Sequence, residues 1–436
     1  MASRKYLYPL LIVVLMVLSW YMLLSDTAKS GAEFDAYLQE ARHYAEIGVT
    51  KYARDNYDKA LELKDDPDIY VEVAEYYREH ESGRAYLQWC RSFFEHFPED
   101  PRAYDCLLRA YHTAEDYSSC FDVLETAGRR GVSSAYMEGV AAELAYAFEL
   151  DYNTFSAVSV FGGGCCAVEA DGKWGFVNQF GDNVVSCKYQ AAGTYSTAGV
   201  APVVSEQNGP FFIDGSGARI MATNEPYRSF GMFIDERIPA EDETGRYHYL
   251  DHFFEPVFGD YLFAGAFNGG LAAAQAEDGW HVVRPDGSEP FGAVYKDVVL
   301  DEKGIAFRNG RAFVSGADGA YMMIDDTGAQ VGSLTFSDAL PFFGPGAAAV
   351  ELNGKWQFVR ADGSLVEGSA YEAARSFSNG LAAVCVDGLW GFIDETMQMV
   401  IEPQFQDAMY FNEKGSCFVY TGRGWQLLQL YRLNRK

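Results

Sequence analysis

The pattern of hydrophobic and polar positions divides the chain into three parts with different periods. Residues 6–24 form an almost unbroken apolar run without a charge, and residues 31–150 carry apolar side chains at helical spacing. Residues 151–436 show short apolar or alternating runs separated by Gly-containing turns. A period of three to four residues predicts amphipathic helices, whereas short alternating runs predict strands. The pattern therefore predicts an α+β multidomain chain: one apolar helix, then a helical region, then an all-β region.

The β region repeats one unit about every 35 residues, within the range that marks a repeat architecture. The clearest copy has an apolar run at residues 381–386, the dipeptide Asp387-Gly388 and a return run at residues 389–394. Asp-Gly favours a two-residue hairpin turn, because both central residues have positive φ. A third short strand follows before the next copy begins. Gly391, next to the bulky ring of Trp390, predicts that another backbone passes close over this glycine.

Pairs of aromatic residues six positions apart recur in the array and indicate how it ends. The pairs are Phe155/Phe161, Tyr189/Tyr195, Tyr261/Phe267, Tyr371/Phe377 and Phe405/Phe411. The first pair precedes the first complete unit, whereas the last unit stops at its return strand, residues 425–430. Pairing of the N-terminal piece with that last strand would remove both exposed sheet edges. We therefore predict a propeller-like closed ring of small three-stranded units, with an open β superhelix as the alternative.

The array resembles a bacterial repeat family, the WG-repeat (KWG-type) proteins, from about residue 152 to the end of the chain. The resemblance lies in Lys173-Trp174-Gly175-Phe176, in Leu389-Trp390-Gly391-Phe392 and in the Gly-Leu-Ala-Ala openings at Gly270 and Gly380. It implies about eight repeats, residues 151–436, that bind or display, and it supplies no catalytic residues. The departures are Pro210 in place of a Trp, and Trp280, Trp356 and Trp425 without the following Gly. We interpret the recurring tryptophans as core residues.

The helical region, residues 31–150, carries a second repeat. Tyr70, Ala74 and Tyr77 recur 34 residues later as Tyr104, Leu108 and Tyr111, which is the tetratricopeptide (TPR) period. Small residues let two helices approach closely, and aromatic residues fill the groove between helix pairs. The region therefore looks like degenerate TPR helix pairs, with a generic helical solenoid as the alternative.

The apolar run at residues 6–24 has the length of a transmembrane helix. Nineteen residues span about 28 Å, close to the ~30 Å of a bilayer core. We predict an uncleaved anchor, with residues 1–30 as anchor and flank, and a cleaved signal peptide as the alternative. Arg4-Lys5 precede the run, so the positive-inside rule predicts a single-pass protein of the cell membrane. Its N-terminus is then cytoplasmic, and residues 26–436 are extracytoplasmic.

Charge and cysteine content narrow the function classes. The formal net charge of −28 disfavours nucleic acid as a partner, since the chain would repel a phosphate backbone. The eight cysteines include no CxxC pair and stand within apolar runs, so we interpret them as small core residues.

One segment interrupts the repeat with charged residues, and it is the single candidate for chemistry. It contains Glu236, Glu241 and Asp242, followed by His248 and His252. Carboxylates next to histidine are able to form a metal or acid–base site, but a solvated hairpin tip is the simpler interpretation. Phosphate-binding, calcium-binding, zinc-binding and hydrolase motifs are missing from the sequence. We therefore expect no cofactor, no bound metal and no enzymatic activity.

These observations leave three function classes. The first is a membrane-anchored, extracytoplasmic, non-catalytic scaffold that binds a protein or peptide partner. The second is a cell-envelope protein that binds carbohydrate, such as a cell-wall polysaccharide, with exposed aromatic residues. The third is a hydrolase on a propeller-like support, which requires unique converging carboxylates.

Overall fold

In a computed structural model the described residues are 7–368 and 370–433, and over them the chain forms seven helices and 29 strands. The chain divides into two compact units, Met1–Ala145 and Tyr146–Lys436. The helices belong to the first unit: α1 (Leu7–Glu46), α2 (Thr50–Leu63), α3 (Pro67–His80), α4 (Gly83–His96), α5 (Pro101–Thr113), α6 (Tyr117–Arg130) and α7 (Ala135–Glu143).

Two helices of the first unit begin with the same Asp-Pro signal. Asp66 accepts a hydrogen bond from the Asp68 amide, Asp100 accepts one from the Arg102 amide, and a proline occupies the first turn of both helices. Proline suits that position because its missing N–H has no intrahelical partner there. Tyr104 is fully buried, as the helical period predicts. The helical region is thus confirmed, and its interpretation as TPR-like helix pairs stays a prediction.

The prediction of a membrane-spanning helix at residues 6–24 is wrong. None of the helices in the described residues has both the length and the apolar character needed to cross a bilayer. The apolar run belongs to α1, which continues without a break to Glu46 and carries charged residues from Asp26 onward; Tyr6 lies outside the described residues. The predicted single-pass placement, with residues 26–436 outside the cytoplasm, depended on that helix and is wrong with it.

The second unit consists of eight small antiparallel sheets, or blades. Its first strand is β1 (Phe148–Leu150). Blades 1 to 4 follow: β2 (Ala157–Val158), β3 (Cys165–Ala170), β4 (Lys173–Asn178), β5 (Asn183–Tyr189); β6 (Ala191–Ala192), β7 (Val200–Ser205), β8 (Gly209–Asp214), β9 (Arg219–Met221); β10 (Tyr227–Phe230), β11 (Ile238–Asp242), β12 (Tyr247–Leu250), β13 (Pro256–Tyr261); β14 (Phe263–Ala264), β15 (Ala272–Ala276), β16 (Gly279–Val283).

Blades 5 to 8 complete the unit. Their strands are β17 (Asp297–Val298), β18 (Arg311–Ser315), β19 (Tyr321–Asp325); β20 (Asp338–Ala339), β21 (Ala348–Leu352), β22 (Lys355–Val359); β23 (Ala373–Ala374), β24 (Leu381–Val386), β25 (Leu389–Asp394), β26 (Met399–Phe405); β27 (Asp407–Ala408), β28 (Ser416–Tyr420), β29 (Trp425–Leu430). Three blades have three strands and five have four, so the predicted three-stranded unit is the minimum rather than the rule.

The ring is closed, as the aromatic pairs predict. Strand β1 pairs with β29, and Phe155 forms a further bridge with Trp425. The N-terminal piece therefore supplies the outer strand of blade 8. Eight apolar clusters lie between consecutive blades, and one of them joins blade 8 to blade 1 through Phe418 and Cys166. The alternative of an open superhelix is excluded.

The glycine after the tryptophan is required by the outer strand. A Cβ on Gly391 would lie 2.5 Å from the Ile401 oxygen, and a Cβ on Gly175 would overlap the Val185 oxygen in the same way. In blades 1 and 7 this contact belongs to a full outer strand, β5 or β26. Blades 4 and 6 have His281 and Gln357 in its place, and their outer edge is reduced to isolated bridges.

The tryptophans pack between blades, in agreement with their interpretation as core residues. Trp280 is buried, and the half-buried rings of Trp174, Trp356, Trp390 and Trp425 lie against the inter-blade clusters. All eight cysteines are free thiols, and six of them are buried.

Candidate functional site

The charged segment of blade 3 does not form one site. Strand pairing places Asp242 next to His248, whose Nε2 lies 3.0 Å from Asp242 Oδ2 and whose Nδ1 lies 2.7 Å from the Gly259 oxygen. Glu241 is adjacent and accepts a hydrogen bond from the Ser229 hydroxyl at 3.0 Å. These contacts join neighbouring strands of one four-stranded blade.

Asp242 has a structural role that recurs around the ring. Its Oδ1 accepts hydrogen bonds from the amides of Thr244 (2.8 Å) and Arg246 (3.0 Å) and from the Thr244 hydroxyl (2.6 Å). Asp325 and Asp394 bind their own turns in the same way. The hydrogen bond from Thr244, followed by the one from His248, lowers the pKa of the Asp242 carboxyl well below its usual range. A carboxylate held in this way stabilises a turn.

Glu236 and His252 lie apart from that pair. Glu236 occupies the turn before β11 with a φ of 57°, whereas Asp242 ends the same strand. His252 lies in the turn after β12, with its ring 3.9 Å from that of Phe253. Over the described residues, no group of three or more His, Cys, Asp or Glu side chains is placed to hold a metal ion. Of the five predicted residues, the structure thus brings two side chains together, those of Asp242 and His248.

A cavity of about 440 Å³ lies at the centre of the ring, on the face formed by the loops between the first and second strands of the blades. Sequence reasoning did not predict it. Its walls come from loops at residues 161–164, 343–345, 378–379 and 410–414 of blades 1, 6, 7 and 8, together with Gln179. Because loops of four blades meet there, closure of the ring creates the cavity.

Stacked aromatic rings line the cavity. The rings of Phe343 and Tyr410 lie 3.8 Å apart and within 7° of parallel. Tyr410 is buried, whereas Phe343 keeps part of its surface exposed. The Arg375 guanidinium lies 5.8 Å from the Tyr410 ring centre and donates to Asp407 at 3.0 Å. This cation–π contact and ion pair hold the aromatic wall in place.

A longer loop in blade 5 crosses the centre of the ring. Tyr295 and Phe307 are twelve positions apart, whereas the corresponding pair Tyr261 and Phe267 is six apart. The added residues carry Lys303, whose Nζ donates to the Phe161 oxygen at 2.8 Å and lies 5.5 Å from the Phe343 ring centre. Blade 5 stands four blades from blade 1 in a ring of eight, so Lys303 links opposite walls.

The base of this loop is rigid. Asp301 is buried, and its Oδ2 accepts two hydrogen bonds from the Arg308 guanidinium, at 2.6 and 3.1 Å. Its Oδ1 accepts hydrogen bonds from the amides of Lys303 and Ile305. The Gly304 oxygen accepts a hydrogen bond from the Ala266 amide of the preceding blade at 2.8 Å. Lys303 is thus held in position by the main chain.

Three ionisable groups of the ring centre have shifted pKa values. Burial raises the pKa of the Glu302 carboxyl, although its side chain keeps an exposed surface, because the surrounding protein removes much of its water. Burial lowers the pKa of the Lys303 ammonium, and Arg308 lowers it further. For Arg375, burial lowers the pKa, but Tyr410 and Asp407 outweigh this effect and the pKa is raised. The negative charge of Glu302 and the positive charges of Lys303 and Arg375 thus lie near one another at the ring centre, where little water reaches them.

The rim of the cavity contains an unsatisfied donor. Asn412 Nδ2 is buried and has no hydrogen-bond partner among the described residues. Glu413 and Lys414 follow it with exposed side chains. The signals for this site in the sequence are the Gly162-Gly163-Gly164 run and the long aromatic spacing of blade 5. A Cβ on Gly162 would collide with Thr194 and Tyr195, so this glycine lets blade 1 pack closely against blade 2.

Three solved structures align with the structure of this chain over about two thirds of its length. BamB from Moraxella catarrhalis has 12% identity and a TM-score of 0.38, over 64% of this chain and 96% of that chain. PorZ from Porphyromonas gingivalis has 14% identity and a TM-score of 0.32, over 64% of this chain and 38% of that chain. The WD40 β-propeller domain of Doa1 has 11% identity and a TM-score of 0.32, over 65% of this chain and 96% of that domain.

The sequence itself matches a known repeat. Curated proteins give no match. A family model described as "WG containing repeat" matches residues 174–208, 321–356, 369–390 and 390–422. These segments lie in blades 1 and 2 and in blades 5 to 8, which confirms the resemblance to WG-repeat proteins. The chain carries WG-containing repeats in its propeller.

Proposed function

We propose that this protein is a non-catalytic binding module, and that it binds a protein partner at the central cavity of the propeller. The observation that carries the proposal is the cavity of about 440 Å³, to which four blades contribute loops. A concave site of several hundred Å³ with aromatic walls and a few convergent polar groups is the usual form of a ligand site.

The groups around the cavity favour binding over catalysis. Ser378 is the one hydroxyl nucleophile in the described lining besides Tyr410, and its Oγ donates to the Phe411 oxygen at 2.7 Å. Burial raises the pKa of the Tyr410 phenol, which therefore stays neutral. A serine is activated when an adjacent base accepts its proton, whereas the Ser378 hydroxyl donates its hydrogen bond to a main-chain oxygen, which is not a base.

The distribution of apolar and charged groups suits a protein partner. The partly exposed rings of Phe161 and Phe343 form the inner wall, and Pro345 is exposed beside them. Glu413 and Lys414 lie outside them at the rim. An aromatic centre with a polar rim is the usual arrangement of a protein interface.

A selection experiment tests the proposal. The full chain is immobilised and used to select from random dodecapeptides displayed on phage, and enriched peptides are synthesised for titration. Pro345→Arg and Lys414→Glu change two exposed positions of the cavity rim. Lys355→Glu is the matched control, because Lys355 is also exposed but lies at the opposite end of blade 6.

We expect the selected peptides to bind the parent and Lys355→Glu equally. Pro345→Arg should weaken binding by about tenfold or more, because the added side chain would obstruct the neighbouring aromatic wall, whereas Lys414→Glu reverses a charge at the rim and should have a smaller effect. Equal binding by all four proteins would show that the peptides bind outside the cavity. An absence of enriched peptides, together with binding of cellohexaose or chitohexaose, would replace the protein partner with a carbohydrate.

A further inference from the structure

Two cysteines of the first unit meet between neighbouring helices. Cys90 lies in α4 and Cys106 in α5, both side chains are buried, and the Cys90 thiol donates a hydrogen bond to the Cys106 sulfur. One helical turn before Cys90, the Tyr86 hydroxyl lies 3.5 Å from the Cys106 main-chain oxygen. One turn after it, the ring of Phe94 packs 5.0 Å from that of Tyr104. The contact between the thiols is therefore part of the packing of α4 against α5.

The two thiols differ in acidity and in exposure. The hydrogen bond from Cys90 lowers the pKa of the Cys106 thiol, although burial opposes this effect. The same hydrogen bond, together with burial, raises the pKa of the Cys90 thiol. Cys106 also keeps 8% of its surface exposed, whereas Cys90 keeps none. Because the thiolate is the reactive form of cysteine, Cys106 is the thiol of this pair that reacts first.

The remaining six cysteines have no second thiol as a hydrogen-bond partner, and all of them lie in the described residues. Burial raises the pKa of each, which keeps the thiol protonated: Cys120, Cys165, Cys166, Cys187, Cys385 and Cys417. Cys165 and Cys166 are consecutive in β3, where neighbouring side chains point to opposite faces, so their thiols do not face each other. Cys106 is thus the one cysteine of the eight whose surroundings favour the thiolate.

We propose that Cys90 and Cys106 form a redox-active pair, which a peroxide converts into a disulfide between α4 and α5. The site lies in the first unit, and the inference is independent of the function proposed for the cavity of the propeller. The oxidised and reduced forms would differ in whether the two helices are covalently joined.

The oxidation takes two steps. In the first, the Cys106 thiolate attacks one oxygen of hydrogen peroxide and the O–O bond breaks. Cys106 becomes a sulfenic acid, and the hydroxide that leaves takes up the proton of the former thiol to form water. In the second, the Cys90 sulfur attacks the Cys106 sulfur, the S–O bond breaks, and the Cys90 proton leaves with the hydroxyl group as a second water. Two thiols are oxidised to one disulfide, and one peroxide is reduced to two water molecules.

The position of the pair favours the second step over further oxidation. Because Cys90 already touches the Cys106 sulfur, it meets the sulfenic acid where this group forms. Burial of Cys106 limits the approach of a second peroxide molecule. The disulfide would close a loop of the fifteen residues between the two cysteines, which includes the turn from α4 to α5. A cross-link of this kind restricts the unfolded chain, so the oxidised unit should be the more stable form.

Peptide mapping of the full chain tests the pairing. The reduced parent is treated with a stoichiometric amount of hydrogen peroxide, the remaining thiols are alkylated, and the protein is digested with trypsin. Cleavage after arginine places Cys90 in residues 85–91 and Cys106 in residues 103–109. We expect these two peptides to be joined, to have lost the mass of two hydrogen atoms, and to separate when a reductant is added. The other six cysteines should be recovered in alkylated form.

Three variants assign the roles of the two sulfurs. Cys90→Ser keeps a hydroxyl that donates to Cys106 but removes the second sulfur, so the sulfenic acid of Cys106 should persist and be trapped by dimedone. Cys106→Ser removes the attacking sulfur, and Cys90 should then stay reduced. Cys120→Ser is the matched control, because Cys120 is a buried thiol of α6 in the same unit, and it should form the disulfide like the parent.

Thermal melting gives an independent measurement. Peroxide should raise the melting temperature of the parent and of Cys120→Ser, and a reductant should reverse the rise. Cys90→Ser and Cys106→Ser should show no rise.

Two results of the mapping would overturn the proposal. The first is a pair that stays reduced while other cysteines are oxidised, and the second is a disulfide from Cys106 to a cysteine other than Cys90. Both are read from the parent, so they hold even if a variant fails to fold. Neither result would affect the function proposed for the cavity, which the peptide selection tests separately.

Discussion

Lys303 donates a hydrogen bond of 2.8 Å to the main-chain oxygen of Phe161, four blades away in a ring of eight. Most stabilising contacts in this ring join a blade to its neighbour, through the eight inter-blade clusters. Lys303 instead joins opposite walls, so it limits how far the ring centre is able to open. The wall of the cavity depends on this contact, since Lys303 also lies against the ring of Phe343.

Replacement of Lys303 by methionine should therefore destabilise the propeller. Methionine keeps the apolar part of the side chain but leaves the Phe161 oxygen without its donor. We expect the free energy of unfolding to fall by about 1 kcal/mol, because the loss of a hydrogen bond from a charged group, about 1.5 to 3 kcal/mol, is partly offset by the removal of a buried ammonium. Urea denaturation measures the change, and exposed Lys355→Met is the control. Equal midpoints for the two variants would show that the contact across the ring is not stabilising.

The sequence predicts this ring well where one blade determines its own shape. Trp390 and Gly391 are adjacent because the Trp390 ring packs on one side of the strand and the Ile401 oxygen lies close to Gly391 on the other. Such a requirement is local, so it appears as a local pattern. The place of Phe155 before the first unit also predicts its pairing with Trp425, although this pairing joins the two ends of the array rather than neighbours within one repeat.

The cavity depends on distant segments, and its composition does not follow from any single repeat. The twelve-residue spacing from Tyr295 to Phe307 is visible in the sequence. The contact between Lys303 and Phe161 depends on the number of blades in the closed ring. The sequence likewise does not predict that the side-chain nitrogen of Asn412 lacks a hydrogen-bond partner, since an Asn that forms a turn is ordinary in a loop. The apolar run at residues 6–24 predicted a membrane-spanning helix, whereas none of the described helices qualifies as one, and the run is the first part of the helix that ends at Glu46.

The close contact between the repeat glycine and the outer strand gives a second prediction. Gly391→Ala should lower the free energy of unfolding by about 1 to 3 kcal/mol, because its Cβ would collide with the outer strand. Gly215→Ala is the matched control, since a Cβ there meets nothing within 4 Å. It should be neutral or slightly stabilising, because alanine restricts the unfolded chain. Chemical denaturation measures the free energy of unfolding of both variants. A similar decrease in both would contradict the proposed collision.

His281 predicts a pH dependence of stability. It replaces the repeat glycine in blade 4, and its ring lies 2.9 Å from Asp278 and 3.0 Å from Glu289. Burial lowers the pKa of His281, but the hydrogen bonds to Asp278 and Glu289 outweigh this effect and raise it above 6.5.

Because the pKa of His281 is raised in the folded state, its contribution is complete below pH 6.5 and is lost as the pH rises through the folded value. Urea midpoints at pH 5.5 and 8.5 should therefore differ more for the parent than for His281→Gln. Both proteins share the other titrating groups, so the difference between them isolates His281. A parallel fall with pH in the two proteins would show that the ring is not charged in the folded state.

The last prediction concerns catalysis at the charged hairpin of blade 3. Asp242 and His248 resemble an acid–base pair in their separation of 3.0 Å, but both are already engaged, Asp242 with its turn and His248 with the Gly259 oxygen. We expect the full chain to show no hydrolysis of chromogenic ester, glycoside or phosphate substrates, with or without added divalent metal ions. Instead, His248→Ala should lower the free energy of unfolding by about 1 to 2 kcal/mol through its lost hydrogen bonds, and Glu241→Gln should change it little. Turnover that both substitutions abolish would reverse this assignment and make the hairpin an active site. Loss of stability in His248→Ala without any turnover in the parent would establish the pair as part of the turn.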